Sequence, residues 1–225
     1  MTEVIIRNKN LLNKLNGFVD EFFSIDGYND KNYYMHDGEK ALTNPEYYCG
    51  QEWLEHMLLN WETHSGFPEQ HFSQPISRMA TANPEKFLGL KDKVRSDFTT
   101  EIGATHAALS NYYPPGGFVG WHTNWNANCY QILFTWSKTG NGYFKYYDKK
   151  EHEIVTIQDV PGWQCRHFYF GRKDEPEHHC WHAAYAGEDR ITLAYKFANN
   201  SLKDPMDVNA RMLRDQLIEE IESEE

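Results

Sequence analysis

The sequence predicts a mainly β core, built as a sandwich or barrel, with helices flanking it on both sides. Three observations carry this. Aromatic residues reach 15%, led by 14 Tyr and 13 Phe, and such side chains favour strands. From about residue 100 onward, short β-prone runs follow one another, separated by turn signals. Helical periodicity is confined to the segments before that point and to the tail. With 225 residues, the chain suffices for one sizeable core and reads as a single domain. That domain comprises a helical, loop-rich flank over 1–99, a β core over 100–198 and a closing helix over 199–225.

Taken in order, Leu11, Leu12, Leu15, Phe18, Val19 and Phe22 recur at helical spacing and predict an amphipathic helix over 9–24. Residues 25–50 are rich in Tyr, Asp, Asn and Gly and read as a long loop, of the length that is often functional. Trp53, Leu54, Met57, Leu58 and Trp61 share one helical face over 51–63, residues 64–84 look irregular, and a short helix fits 84–93. The β-prone runs are Ala107–Tyr113, Tyr130–Trp136, Gly142–Tyr147, Glu153–Ile157, Gln164–Phe170 and Ile191–Phe197. Pro114-Pro-Gly-Gly117, Thr139-Gly-Asn-Gly142 and Pro161-Gly162 supply the turns. In the tail, Asp204 reads as an N-cap with Pro205 at the first helical position, and Val208, Met212, Leu217 and Ile221 are expected to face inward.

Charge narrows the partners. With 33 acidic against 22 basic residues, the net charge is −11, which repels phosphate backbones and disfavours nucleic acid. The four cysteines, Cys49, Cys129, Cys165 and Cys180, form no CxxC pair, and no stretch has the length and apolarity of a signal peptide or membrane span. These features give the expectation of a reduced, cytoplasmic, non-membrane protein. Asn199-Asn200-Ser201 matches a glycosylation sequon, which carries no weight in that setting.

Eleven histidines are present, and His122 and His182 stand out by their surroundings. Asn111-Tyr-Tyr-Pro-Pro-Gly-Gly-Phe-Val-Gly-Trp-His-Thr-Asn124 runs from a strand through a turn into a His-x-Asn. Sixty residues beyond His122 comes Trp181-His182, and eight further on Arg190-Ile-Thr192 opens another β-prone run. This layout resembles the Fe(II)/2-oxoglutarate-dependent dioxygenases, whose ligand set is His-x-Asp/Glu and a distant His, with a basic residue downstream. Asn-x-Tyr-Pro-Pro and His-Thr look like the branch that includes plant hydroxylases and desaturases. The likeness covers roughly 107–197.

The resemblance implies a double-stranded β-helix (jelly-roll, cupin-like) core. It also implies Fe(II) at His122, Asn124 and His182, and 2-oxoglutarate contacted by Asn111, Tyr113, Arg190 and Thr192, with ascorbate as a supporting reductant. Dioxygen and an unidentified primary substrate would complete the reaction, hydroxylation of an unactivated C–H bond. The chemistry is coherent. Two imidazoles and one oxygen ligand leave three positions open on iron, and a guanidinium offers the fork of donors that a carboxylate needs. Residues two apart on a strand share a face, which pairs Arg190 with Thr192 and Asn111 with Tyr113. His182 is favoured over His178 and His179 by its distance from Arg190; those two are expected at the entrance or on the surface, and His106 and His167 in or near the core.

The departure is Asn124, where the family has a carboxylate. Three readings compete. Asn124 or a water completes the iron site; or the vacancy admits a halide, as in related halogenases, although those carry a small Gly or Ala there; or the fold is a catalytically silent binding protein. Trp121, Trp125, Trp136, Trp163 and Trp181 read mainly as barrel packing, with Trp121 or Trp125 a candidate pocket wall. Tyr33, Tyr34 and His36 are candidate lid residues.

Overall fold

The computed structural model describes residues 1–30, 44–60, 68, 70–124, 129–171, 178–197 and 208–224. Before the β core come β1 (Thr2–Val4), α1 (Lys9–Ser24), α2 (Pro45–Tyr48), α3 (Gln51–Asn60), β2 (His71–Phe72), β3 (Gln74–Pro75), α4 (Ile76–Ala82) and α5 (Pro84–Asp92). A π-helical turn (Lys93–Asp97) then leads into α6 (Phe98–Glu101). The core consists of β4 (His106–Tyr113), β5 (Gly117–His122), β6 (Cys129–Ser137), β7 (Gly142–Asp148), β8 (Glu153–Gln158), β9 (Gly162–Phe170), β10 (His182–Ala186) and β11 (Arg190–Phe197). After it comes α7 (Val208–Glu222).

These strands form two antiparallel sheets, ordered β1-β9-β6-β11-β4-β3 and β2-β5-β10-β7-β8. From β4 onward the chain passes back and forth between the two, so that first and last strands pair (β4 with β11) and the second pairs with the second-to-last (β5 with β10). The fold is a double-stranded β-helix, mainly β with flanking helices.

Strand periodicity places the site. On β11, Ile191, Leu193 and Tyr195 point out of the barrel and join Tyr112, Ile132, Phe134 and Cys165 beneath α1 and α5. The alternate residues Arg190, Thr192 and Ala194 point inward. Helix α1 seals that outer face with Leu11, Leu15, Phe18, Val19 and Phe22, each worth roughly 1.5–3 kcal/mol when fully buried. Its N-terminus is capped by Asn8, whose Oδ1 accepts from Leu11 N at 2.9 Å. On the other sheet, Phe118, Trp121, Trp181 and Ala183 pack against Cys49, Leu54 and Met57. The turn at Pro114–Gly117 needs its glycines. Gly116 adopts φ +82, and a Cβ on Gly117 would lie 2.7 Å from Pro114 O and 2.9 Å from Phe72 O.

A second device fixes the β6–β7 turn. Glu188 accepts from Ser137 Oγ (2.7 Å), Thr139 N (2.6 Å), Thr139 Oγ1 (2.7 Å) and Asn141 N (3.0 Å). Burial pushes its pKa up, but these four donors outweigh it and bring the carboxyl down to about 2.

Four expectations are corrected. The stretch 25–50, read as a loop, contains α2, a single helical turn capped by Asn44 with Pro45 at its first position. Within the stretch read as irregular lies α4, bracketed by Pro75 and Asn83-Pro84, too short to show periodicity. Strand β10 was not anticipated, because His-Ala-Ala-Tyr-Ala carries no β-branched residue. Met212 is 63% exposed, whereas Leu217 and Ile221 are buried; the inward stripe of α7 is set by its last turns. Asp204, Pro205 and the stretch 61–63 lie outside the described residues, as does the side chain of Val208. Among the described residues, no helix is long and apolar enough to cross a membrane.

Candidate active site

The site begins with two paired strands. β5 ends at His122 and β10 starts at His182, and the antiparallel register sets the two residues directly opposite each other, with a bulge just beyond His182. Their ring centroids lie 4.1 Å apart at 48°. Each Nδ1 sits 2.9 Å from the carbonyl oxygen two residues earlier, Gly120 for His122 and Cys180 for His182. A carbonyl only accepts, so for His182 the proton sits on Nδ1 and the lone pair on Nε2, the arrangement a metal-ligating imidazole needs, while the His122 ring is held by the backbone of both Gly120 and His182.

Both rings are 6% exposed. Burial lowers the pKa of His182 to about 4. It lowers that of His122 well below the usual range too, with His182 and His71 adding to the effect. The imidazoles are therefore neutral at pH 7. Phe144 stacks on His182 at 5.5 Å and 23°, and Phe170 lies 5.0 Å from it.

Facing them on the other sheet is a buried guanidinium. Arg190 and Asp159 are each 2% exposed and form an ion pair, with Arg190 Nε donating to Asp159 Oδ2 at 2.7 Å. Arg190 Nη1 donates to Thr192 Oγ1 at 2.8 Å, and the guanidinium carbon lies 5.1 Å from the centre of the Tyr113 ring. Gln164 Nε2 donates to Asp159 Oδ1 at 2.8 Å, and Arg166 Nη1 donates to Gln164 Oε1 at 2.6 Å. Gly142 makes room for this carboxylate: a Cβ there would meet Asp159 Oδ2 at 2.5 Å.

The structure brings six of the seven candidate residues into one cavity of about 210 Å³: His122, Asn124, His182, Tyr113, Arg190 and Thr192. Its remaining wall is largely apolar, including Leu109, Val119, Leu133, Phe144 and Phe170. Asn124 is half-buried, two residues past the end of β5. Asn111 is not part of this lining. Its side chain is wholly buried and hydrogen-bonds the Tyr113 phenol, which does line the cavity; its Nδ2 donates to Ser73 Oγ at 3.3 Å, and its buried Oδ1 has no hydrogen-bond partner among the described residues.

Trp121 is fully buried on the opposite face of β5, where its Nε1 donates to Gly50 O at 2.9 Å. It packs the core and does not wall the pocket. Trp136 and Trp163 lie against the α1 core and Trp181 against the α3 core. His179 is buried rather than superficial, His178 is exposed, and both line a separate surface pocket. His167 is half-buried on β9. Trp125, Tyr33, Tyr34, His36 and the side chain of His106 lie outside the described residues. Asp159, Gln131, Thr135 and Gln164 were not anticipated. Asp159 precedes Val160-Pro161-Gly162 and reads locally as a turn residue.

The donor set suits a divalent cation. Among the described residues, no group of three or more His, Cys, Asp or Glu side chains is placed to hold a metal. The site offers two buried neutral imidazoles and, at Asn124, an amide oxygen. That set matches a borderline cation such as Fe(II) with further positions left for ligands.

No protein-family model and no curated protein matches the chain. Among solved structures, it is similar to OsALKBH1 at 14% identity, over 39% of this chain and 48% of that one, with a TM-score of 0.29. It is similar to a Pseudomonas putida prolyl-4-hydroxylase at 13% identity, over 66% and 85%, with a TM-score of 0.33. It is also similar to a rice dioxygenase for auxin oxidation at 11% identity, over 90% and 76%, with a TM-score of 0.34. The chain thus spans about half of the first of these. Likeness at this level carries no function, which has to be argued from the site.

Proposed function

We propose that the chain is an Fe(II)- and 2-oxoglutarate-dependent oxygenase that hydroxylates an unactivated C–H bond of a primary substrate. The observation that supports this most directly is the opposition, across one small cavity, of two tethered neutral imidazoles and a buried guanidinium. His122 and His182 would hold the iron, with Asn124 or a water completing the face. Arg190 and Thr192 would take the distal carboxylate of 2-oxoglutarate, with Tyr113 bounding its path. The iron, together with the 2-oxoacid and dioxygen, supplies the oxidising chemistry, in which the cosubstrate is decarboxylated to succinate.

The chain's own residues prepare that chemistry. The backbone tethers at Gly120 and Cys180 hold both rings in one orientation. The hydrogen bonds from Arg190 to Asp159, Thr192 and Tyr113 fix the guanidinium, so that a carboxylate would be captured end-on at its terminal nitrogens. Leu109, Leu133, Phe144 and Phe170 keep water out and give a C–H-bearing substrate an apolar surface.

Anaerobic addition of 2-oxoglutarate to the Fe(II)-loaded protein should produce a new visible absorption band, and admitting oxygen with ascorbate should release succinate. Loss of both despite bound iron would leave the second reading, a silent binding protein, which the amide at Asn124 favours. The same amide is bulkier than the Gly or Ala of halide-using relatives, so hydroxylation is preferred over halogenation.

A further inference from the structure

We infer that Asp159 is a positioning residue whose buried charge makes anion capture by Arg190 conditional on a cation at His122 and His182. This rests on the reading of the site as a metal and dicarboxylate centre. It concerns a residue that touches neither group.

Arg190 lines the cavity and forms an ion pair with Asp159 behind it, both side chains almost wholly buried. Asp159 cannot turn aside, because Gln164 holds its other oxygen at 2.8 Å, its backbone N–H donates to Gly142 O at 2.9 Å, and Gly142 closes over Oδ2. The pair sums to zero. Among the described residues, nothing else lining the cavity makes up a charge: the two imidazoles, buried against each other with centroids 4.1 Å apart, are neutral, and Tyr113, Asn124, Gln131, Thr135 and Thr192 are uncharged. Arg166 lies one amide beyond, half-buried, where solvent shares its charge.

A dicarboxylate entering this space without a cation would bury two negative charges against a neutral wall, which is costly. With a divalent ion at the imidazoles, the sum over ion, ligand, Arg190 and Asp159 returns to zero. A carboxylate at position 124 in place of the amide would leave that sum at −1. Asp159 thus carries, behind Arg190, the negative charge that position 124 lacks at the proposed metal site.

The test uses glutarate, which has both carboxylates of 2-oxoglutarate but no keto oxygen with which to chelate. Its affinity is measured by calorimetry on the full chain, metal-free and loaded with redox-inert Mn(II), for wild type and Asp159→Asn. In the wild type, Mn(II) should tighten glutarate binding by about tenfold or more, through charge and monodentate carboxylate ligation but without the keto chelate. In metal-free Asp159→Asn, binding should tighten by about tenfold or more over metal-free wild type, because the competing carboxylate is gone and Arg190 is left positive. Equal affinity in wild type with and without bound Mn(II) would overturn the inference, as would a folded Asp159→Asn that binds no better than wild type. The wild-type comparison stands should the variant fail to fold. Failure of Mn(II) to bind, seen by paramagnetic resonance, would instead refute the metal-site reading, and the metal-free arm would still decide the role of Asp159.

Discussion

Replacing Arg190 with Met removes at once its hydrogen bonds to Asp159 (2.7 and 3.5 Å), Thr192 (2.8 Å) and Tyr113. More costly than the lost bonds is what remains: an Asp159 carboxylate 2% exposed, with the Gln164 amide as its side-chain donor. Stranding one member of a buried pair costs roughly 3–5 kcal/mol, against about 0–1 kcal/mol for a surface pair. At roughly 2–4 °C per kcal/mol for a chain of this size, the melting temperature should fall by about 6–20 °C. Adding Asp159→Asn to Arg190→Met removes the stranded charge and should recover about 1–2 kcal/mol or more. Guanidinium unfolding followed by circular dichroism, with calorimetry for the melting temperature, measures both variants. A loss of less than about 1 kcal/mol in the single variant, or a double variant no more stable than the single, would show that the pair is solvated and that the space behind Arg190 is open to water.

Other outcomes follow from the same coordinates. His122→Ala and His182→Ala should each abolish stoichiometric Co(II) binding, read from its absorption, while the far-ultraviolet dichroism stays that of the folded chain. Retained binding in either variant would remove that ring from the metal centre. Glu188 contributes stability that is fully present above its unfolded-state pKa, near 4.5, and is lost as pH falls toward about 2. Glu188→Gln should flatten the stability profile across that window, and an unchanged acid limb would contradict the turn clamp. Cys49, Cys165 and Cys180 are buried, with burial raising all three thiols, Cys49 and Cys180 to about 12. A thiol reagent at pH 8 should leave them unmodified, with peptide mapping as the check, until denaturant is added.

Much of the architecture was legible because it is written in local patterns. The α1 stripe from Leu11 to Phe22 and the β-prone runs after residue 100 each repeat at the period of their element. The positions facing one another in the cavity were legible for a similar reason, since His122 and Asn124, and Arg190 and Thr192, sit at strand spacing in short motifs. The same parity argument, applied one residue back, would have turned Trp121 away from the pocket; adjacency in sequence to His122 means opposition across the strand. Asp159 was not legible because its partner lies 31 residues away, and its own neighbourhood spells a turn. Asn111 shares the parity of Tyr113, and its amide reaches the Tyr113 phenol and Ser73 without lining the cavity itself. The alanines of β10 have no strand propensity of their own and are held there by β5 and β7 on either side.

The direct pairing of His122 with His182 has a consequence for how the chain reports on itself. The two rings converge because their backbones are neighbours in one ladder, not because a loop happens to deliver them. A slip of one residue between β5 and β10 would send one imidazole to the far side of the sheet, into the space now filled by tryptophan. If the two rings hold a cation as proposed, its uptake would gauge strand alignment, and a misfolded population would announce itself as missing metal long before its secondary structure looked wrong.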